Sequence, residues 1–142
     1  MSIYTAKAHI VSGRDGRATA ERGTPDLALA LIPAFGGPDD PGDATNPEEL
    51  FAMGYGACFL STVQFLARSR KLSAKAYTLD SAVSLNEAEG GFALAVQLDV
   101  QMPGIDQATA AELVREAHTA CVYSKAVQGN IEVALLANGQ PV

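Results

Sequence analysis

Short stretches of alternating apolar and polar residues open the chain and predict β-strands. Residues 3–12 and 17–22 alternate around the polar turn SGRDGR, whose Asp15-Gly16 step is typical of a β-hairpin. Residues 26–32, DLALALI, alternate less regularly and predict a third strand. Residues 33–45 contain three prolines and three glycines, which predicts a long loop of the kind that covers a site or carries function.

A long apolar segment, NPEELFAMGYGACFLSTVQFLA, follows the loop and predicts a central helix. Asn46 is a strong N-cap, Pro47 suits the first helical position, and Glu49 completes a capping-box pattern. Residues 50–67 carry no charge over 18 positions, which is near the lower limit for spanning a bilayer. Because serine, threonine, glutamine and glycine interrupt this run, we expect the core helix of a soluble protein.

The second half of the chain predicts a second hairpin, a helix and a closing strand. Residues 75–86 and 92–102 predict two strands joined through EGG, and GNIEVALLA predicts the last strand. Asp106 caps the helix QATAAELVREAHTAC, which has an apolar stripe of Ala110, Leu113, Val114 and Ala117. The pattern contains no repeat and predicts one α+β domain over residues 1–142, with helices segregated from mostly antiparallel strands.

Composition and charge exclude some classes of function. The chain has 142 residues, of which 48% are hydrophobic, and this is enough to build a globular core. A net charge of −6 argues against nucleic acid binding, which needs clustered lysine and arginine. The first residues do not form a charged and then apolar leader, so we expect a cytoplasmic protein.

Two cysteines, Cys58 and Cys121, are the candidate chemical groups. They lie on different predicted elements, and together with His9 and His118 they make a poor set of zinc ligands. His118 lies three residues before Cys121, so a Cys–His nucleophile is one hypothesis. A structural disulfide is disfavoured in a cytoplasmic protein. The residues alone leave two alternatives open, a pair of inert buried thiols and a redox-active pair.

The sequence around both cysteines resembles a known family. NPEELFAMGYGACF, around Cys58, resembles the first signature of the organic hydroperoxide resistance proteins, the Ohr branch of the OsmC/Ohr superfamily. AHTACVYSKAVQGNIEV, around Cys121, resembles the second signature, and YTAKAHIVSGRDGRA is similar to the opening hairpin of the family. One departure is Val122, which follows the second cysteine where the family motif usually has proline. The loop ALIPAFGGPDDPGDATN also differs in detail.

The resemblance implies a thiol peroxidase that reduces organic hydroperoxides to alcohols. It makes Cys58 the peroxidatic nucleophile and Cys121 the resolving cysteine, and it assigns the catalytic arginine to Arg17 and its partner carboxylate to Glu48. On sequence grounds alone, Arg14 competes with Arg17. A cation is needed because burial raises the pKa of a cysteine, and Cys58 lies too far into its helix for the helix dipole to help much.

The resemblance also implies an assembly, substrates and a reductant. The expected fold is an antiparallel β-sheet with a long buried central helix, in an intertwined homodimer with active sites at the interface. As an antioxidant enzyme, the protein would reduce hydroperoxides of fatty acids or of alkyl and aryl compounds. Dihydrolipoamide or a lipoylated protein would be the reductant, and no cofactor or metal would be bound. The competing interpretations are an OsmC-type peroxidase of broader range, a non-catalytic binder of apolar ligands, and a redox sensor.

Overall fold

The structure, a computed structural model, describes all 142 residues, Met1–Val142. The chain forms two compact units, Met1–Leu50 and Phe51–Val142. One long helix begins at the end of the first unit and continues into the second. The expectation of a single domain over residues 1–142 stays a prediction.

A three-stranded antiparallel sheet dominates the first unit. Its strands are β1 (Ala8–Val11), β2 (Arg17–Ala20) and β3 (Asp26–Ala28), and β2 lies in the middle. All three are shorter than the alternation predicts. The β2–β3 ladder ends early because Gly23 has a φ of 89° and Pro25 has no N–H to donate.

The loop between β3 and the long helix has ordered ends. Pro33–Phe35 form a single 3₁₀ turn. Thr45 returns to the edge of the sheet, where its N–H donates to the oxygen of Ala28 at 2.9 Å and its own oxygen accepts from the N–H of Ala30 at 3.0 Å. These bonds hold the chain beside β3 at the point where the helix begins.

The long helix, α1 (Pro47–Ser69), begins where the sequence predicts. Asn46 Oδ1 accepts a hydrogen bond from the N–H of Glu49 at 2.8 Å, which confirms the N-cap. The Glu49 carboxylate, expected to complete a capping box, instead accepts from the hydroxyl of Thr45 at 2.6 Å. The side chain of Glu49 therefore ties the helix start to the preceding loop.

One face of α1 lies in the core of the second unit. Its buried residues recur at helical spacing: Tyr55, Phe59, Val63 and Ala67. This is the one helix long and apolar enough to cross a membrane by length and composition, a test that the core helix of a soluble protein also passes. The packed face of α1 agrees with the predicted core helix.

A four-stranded sheet forms the second unit together with the helices. Its strands, in spatial order, are β4 (Thr78–Ala88), β5 (Gly91–Gln101), β6 (Glu132–Ala137) and β7 (Gln140–Pro141). The β4–β5 pair is the predicted antiparallel hairpin, but β6 pairs with β5 in parallel. A parallel pair needs a long crossover, which the two helices between β5 and β6 supply. The fold class is α+β, as predicted.

Two helices make this crossover. Asp106 caps α2 (Gln107–Ala120), since its Oδ1 accepts from the N–H of Thr109 at 3.0 Å, and the predicted apolar stripe of α2 is buried. A short helix, α3 (Val122–Val127), follows immediately and was not predicted. Cys121 is the single residue between the two helices.

The buried hydroxyl of Ser81 in β4 is expected to lower the stability of the fold. Its hydroxyl is buried without a hydrogen-bond partner, below Gly56 of α1, where an added Cβ would lie 3.3 Å from Ser81 Cβ. An unpaired buried hydroxyl keeps its desolvation cost, so Ser81→Ala should raise the free energy of unfolding by about 1 kcal/mol in urea titrations. Ser84→Ala, at an exposed position of the same strand, should change it little. A loss of stability in Ser81→Ala would contradict this prediction.

Candidate active site

Two free thiols meet in the second unit. The Sγ atoms of Cys58 and Cys121 lie 3.6 Å apart, and neither cysteine is in a disulfide. Cys121 is only 1% exposed, whereas Cys58 is partly exposed. A disulfide bond is about 2.0 Å long, so the sulfurs need to approach by only about 1.5 Å to bond. The structure thus brings together the two cysteines that the sequence singled out.

The break between α2 and α3 positions Cys121. Its N–H donates to the oxygen of Ala117 at 2.8 Å and ends α2, and its oxygen accepts from the N–H of Lys125 at 3.0 Å and begins α3. The residue itself is extended, with φ −62° and ψ 130°. A following proline would favour this conformation. Cys121 adopts it with Val122 in that place, so its approach to Cys58 does not require the proline.

The surroundings of Cys58 oppose its ionisation on balance. Burial raises the pKa of the Cys58 thiol, and the hydrogen bond and charge of Cys121 raise it further. The backbone N–H groups of Tyr123 and Val122, at the start of α3, act in the opposite direction and favour the thiolate. The pKa of Cys58 therefore stays above its ordinary value, and the neutral thiol is favoured.

Aromatic rings flank the cysteine-bearing face of α1. The ring centroid of Tyr123 lies 5.8 Å from that of Tyr55 and 6.5 Å from that of Phe51. Gly54 makes room for Tyr123, because an added Cβ would lie 3.3 Å from the phenol oxygen. Gly54 is one helical turn before Cys58, so the thiol has an apolar, aromatic border on this side.

A separate apolar groove lies on another face of α1. It has a volume of about 360 Å³ and is lined by α1 residues that include Gly56 and Leu60, and by Leu79 and Ser81 of β4. Gly56 and Cys58 are two residues apart and therefore point about 200° apart around the helix axis. The groove is thus not the pocket of the thiol.

The partner of Glu48 in the first unit is Arg14. The guanidinium donates from both Nη atoms to the two carboxylate oxygens, at 2.7 and 2.8 Å, in a bidentate pair. The guanidinium carbon also lies 5.6 Å from the ring centroid of Phe35, which comes from the loop that precedes α1. The Arg14 side chain is 38% exposed and that of Glu48 is 13% exposed. The hydrogen bonds from Arg14 lower the pKa of Glu48, so the pair is ionised at neutral pH.

The expectation that Arg17 pairs with Glu48 is wrong. Arg17 Nε and Nη2 donate to the carboxylate of Asp26 at 2.7 and 3.0 Å. The register explains this, because Arg17 lies opposite Ala28, and Asp26 is the diagonal neighbour on the same face of the sheet. Arg14 lies in the 3₁₀ turn between β1 and β2, outside the ladder. Of the two arginines that competed in the sequence, Arg14 is the one that contacts Glu48.

A chain of three hydrogen-bonding side chains lies beside the cysteines. Tyr55 Oη is 2.8 Å from Ser124 Oγ, and Ser124 Oγ is 2.9 Å from His118 Nδ1. Tyr55 and Ser124 are buried, at 0% and 2% exposure. Burial raises the pKa of Tyr55, and negative charge at either cysteine, Cys121 or Cys58, would raise it further. His118 Nδ1 is engaged by Ser124, which gives no support to a Cys–His nucleophile.

Sequence reasoning missed two features of this site. The N–H groups that face Cys58 come from α3, a helix of six residues that is too short for a periodic signal. Val122 supplies one of these N–H groups. A proline at this position, as is usual in the family motif, has no N–H to supply. The chain from Tyr55 to His118 could have been suspected from spacing, since Tyr55 and His118 each lie three residues before a cysteine.

No group of three or more His, Cys, Asp or Glu side chains could hold a metal ion.

The sequence and fold match known proteins over nearly the whole chain. Residues 38–135 match the family described as OsmC-like protein. The chain is 41% identical over 134 residues to the organic hydroperoxide resistance protein of Xanthomonas axonopodis pv. citri (strain 306), covering 94% of this chain and 93% of that one. It is 36% identical to the organic hydroperoxide resistance protein OhrB of Bacillus subtilis (strain 168), covering 95% and 98%.

Solved structures agree with these relatives. The organic hydroperoxide resistance protein OsmC of Legionella pneumophila superposes with a TM-score of 0.89 at 40% identity, covering 96% of this chain and 98% of that one. OhrB of Bacillus subtilis superposes with a TM-score of 0.86 at 36% identity, covering 96% and 99%. Both cysteine motifs, the fold and the similarity thus agree, and the chain belongs to the organic hydroperoxide resistance (Ohr) branch of the OsmC-like family.

Proposed function

We propose that this protein is a cysteine-based peroxidase that reduces organic hydroperoxides to alcohols. The observation that carries the proposal is the pair of free thiols, Cys58 and Cys121, held 3.6 Å apart with only one of them accessible. Membership of the organic hydroperoxide resistance family supports the substrate class. The protein would act in the cytoplasm as part of the response to oxidative stress.

The difference in exposure between the two cysteines supports the role proposed for each. Cys58 is partly exposed, so a peroxide can reach it, whereas Cys121 is 1% exposed and reaches only its neighbour. The Cys58 thiolate attacks the outer peroxide oxygen, the O–O bond breaks, and the alkoxide takes up a proton and leaves as the alcohol. Cys58 is thereby oxidised by two electrons to a sulfenic acid, as the first step of the thiol oxidation series.

Cys121 then resolves the sulfenic acid. Its sulfur attacks Cys58 Sγ, an S–S bond forms, and the oxygen leaves as water. The short distance between the sulfurs favours this intramolecular step over further oxidation by a second peroxide. A dihydrolipoyl dithiol, free or protein-bound, would reduce the disulfide by thiol–disulfide exchange and leave as the cyclic disulfide. No bound cofactor or metal enters this cycle.

The positive charge for the Cys58 thiolate would come from Arg14, with Glu48 orienting the guanidinium. A positive charge beside the sulfur would lower the raised pKa of Cys58. The bidentate contact with Glu48 fixes the orientation of the Arg14 guanidinium, which is the cation proposed to stabilise the developing negative charge. The pair takes the role that the sequence had assigned to Arg17 and Glu48.

Apolar hydroperoxides suit the border of the site. The rings of Phe51, Tyr55 and Tyr123 flank the cysteine-bearing face of α1 and offer dispersion contacts that hydrogen peroxide cannot use. Fatty-acid and alkyl or aryl hydroperoxides are therefore the proposed substrates. An OsmC-type peroxidase of broader range would show comparable rates with hydrogen peroxide.

A homodimer with active sites at its interface is the proposed assembly. Apolar side chains stay exposed on α1, where Met53 is 58% and Phe65 is 64% exposed, and on β1, where Ile10 is 53% and Val11 is 52% exposed. Such exposed apolar surface is typical of a face that a second copy covers.

The decisive experiment is dihydrolipoamide-dependent turnover of cumene hydroperoxide by the purified protein, with hydrogen peroxide as the comparison substrate. Rapid turnover with a strong preference for cumene hydroperoxide is expected. Free, reactive thiols without turnover would exclude the peroxidase. A non-catalytic binder consumes no peroxide, and a redox sensor oxidises once without rapid recycling by the dithiol.

Substitution of each cysteine should separate the two half-reactions. Cys58→Ser should abolish peroxide consumption, because it removes the nucleophile. Cys121→Ser should consume about one equivalent of peroxide per site, accumulate the sulfenic acid and then over-oxidise. Mass spectrometry with dimedone trapping measures these products. Full turnover by Cys121→Ser would contradict the proposed resolving role.

The two arginines provide a matched pair of variants. Arg14→Ala should lower the rate of peroxide consumption by about 10²-fold and raise the pKa of Cys58, because the thiolate loses its cation. Arg17→Ala removes an equally bidentate arginine from the same unit and should leave both unchanged. Stopped-flow kinetics and the ultraviolet absorbance of the thiolate measure the two effects. A slow Arg17→Ala variant together with an unchanged Arg14→Ala variant would instead assign the catalytic role to Arg17.

The assembly can be tested through the exposed phenylalanines. Phe65→Glu should shift the mass in light scattering from twice 14.8 kDa to that of one chain, because it places a charge in the apolar interface. Phe92→Glu changes a comparably exposed phenylalanine of β5 and should leave the mass unchanged. A wild-type mass of one chain would contradict the proposed homodimer.

A further inference from the structure

Ser124 connects three helices, and the cycle described so far gives it no role. Its Oγ lies 2.8 Å from Tyr55 Oη on α1 and 2.9 Å from His118 Nδ1 on α2. Ser124 itself lies on α3 and is 2% exposed. A buried hydroxyl with two hydrogen bonds of this length has a well-defined position. The helices that carry its two partners are therefore held to α3 by side chains.

The hydrogen bond to His118 spans the break at Cys121. His118 precedes Cys121 by three residues, and Ser124 follows it by three. In an uninterrupted α-helix, residues six apart are separated by about 9 Å along the axis and by about 240° around it. A histidine ring and a serine hydroxyl placed in this way are too far apart for a hydrogen bond. The 2.9 Å contact thus exists only while α2 and α3 are separate helices.

The hydrogen bond to Tyr55 lies about one helical turn from the contact between the sulfurs. Tyr55 precedes Cys58 by three residues on α1, and residues three apart lie on the same side of a helix. Ser124 follows Cys121 by three residues. The 2.8 Å contact of the two oxygens and the 3.6 Å contact of the two sulfurs are therefore consecutive contacts between α1 and the start of α3. Loss of the first contact would allow Cys121 to move relative to α1.

The backbone alone restrains Cys121 weakly. Cys121 is extended, with φ −62° and ψ 130°. A proline at the next position would disfavour the helical conformation of Cys121, whereas Val122 does not. With helical backbone angles at Cys121, α2 would continue into α3 and the hydrogen bond between His118 and Ser124 would be lost. A side-chain restraint across the junction takes the place of the missing backbone restraint.

Building on the proposed peroxidase cycle, we propose that Ser124 is a positioning residue for disulfide formation. Its bond to His118 holds Cys121 extended, and its bond to Tyr55 holds the α2–α3 junction against α1. The restraint acts on the second step of the cycle, in which the Cys121 sulfur bonds to Cys58 Sγ. In that step the Cys58 S–O bond breaks, and the hydroxyl group leaves with the thiol proton of Cys121 as water.

The test follows the conversion of the sulfenic acid to the disulfide in a single turnover. Protein is mixed with one equivalent of cumene hydroperoxide and trapped with dimedone at increasing times, and mass spectrometry measures both products. Tyr55→Phe and His118→Ala each remove one of the two hydrogen bonds and should each slow the conversion about tenfold. Ser124→Ala removes both bonds and should slow it at least as much.

The substitution Val122→Pro distinguishes the two hydrogen bonds. Position 122 is the first residue of α3, where a proline is compatible with the helix. Val122→Pro added to His118→Ala should restore most of the rate of conversion, because the proline favours the extended Cys121. Added to Tyr55→Phe it should restore little, since the bond to α1 is still missing. A general loss of stability would not be repaired in this selective way.

Tyr77→Phe is the matched control for the loss of a phenol oxygen. Tyr77 Oη accepts a hydrogen bond from the N–H of Ala74 at 3.1 Å, in the segment between α1 and β4. The substitution should lower the free energy of unfolding, as Tyr55→Phe does, but it should leave the rate of conversion at the wild-type value.

A second measurement needs no peroxide. Equilibration with mixtures of dihydrolipoamide and lipoamide gives the equilibrium constant for formation of the disulfide between Cys58 and Cys121. This constant should fall about tenfold in Tyr55→Phe, because the two thiols are then held together less closely. It should stay at the wild-type value in Tyr77→Phe.

The outcomes separate this inference from the function on which it rests. Rescue of His118→Ala by Val122→Pro, without rescue of Tyr55→Phe, supports the positioning role. Conversion at or above the wild-type rate in Ser124→Ala, or a slow His118→Ala that Val122→Pro does not restore, overturns that role and leaves the peroxidase intact. A wild-type protein that forms no sulfenic acid overturns the peroxidase, and the equilibrium with the dithiol then decides the positioning role by itself.

Discussion

The contact between Cys58 and Cys121 depends on one extended residue between two helices. Cys121 lies four residues after Ala117, in line with the buried stripe of α2. The extended Cys121 ends one helix and begins another, and its sulfur lies 3.6 Å from that of Cys58. The same break turns backbone N–H groups of α3 toward the Cys58 thiol. The position and the polarity of the site therefore have a common origin in the α2–α3 junction.

Burial in this site both favours and hinders the proposed chemistry. It shields the sulfenic acid and surrounds the thiols with apolar and aromatic side chains, but it also raises the pKa of Cys58. The proposed role of Arg14, oriented by Glu48, is to offset that penalty with the positive charge of its guanidinium.

The sequence predicts well those features that arise from local patterns. Asn46 and Asp106 cap their helices as expected, and the alternating residues of β4 and β5 form the predicted hairpin. The parallel pairing of β6 was not predictable from periodicity, because alternation specifies a strand but not its neighbour. The family resemblance placed Arg17 beside Glu48, and only the register of the sheet shows that Arg17 faces Asp26. The two sequence motifs identified Cys58 and Cys121. They gave no signal for Ser124, which is buried and hydrogen-bonds to Tyr55 and His118.

Peptide mapping of the wild-type protein after one equivalent of cumene hydroperoxide tests the central claim most directly. The account predicts that nearly every chain then contains a Cys58–Cys121 crosslink within that chain, and that dihydrolipoamide restores both free thiols. A stable sulfenic or sulfinic acid at Cys58, with Cys121 still a free thiol, would contradict it. So would a disulfide that joins Cys58 or Cys121 of one chain to another chain.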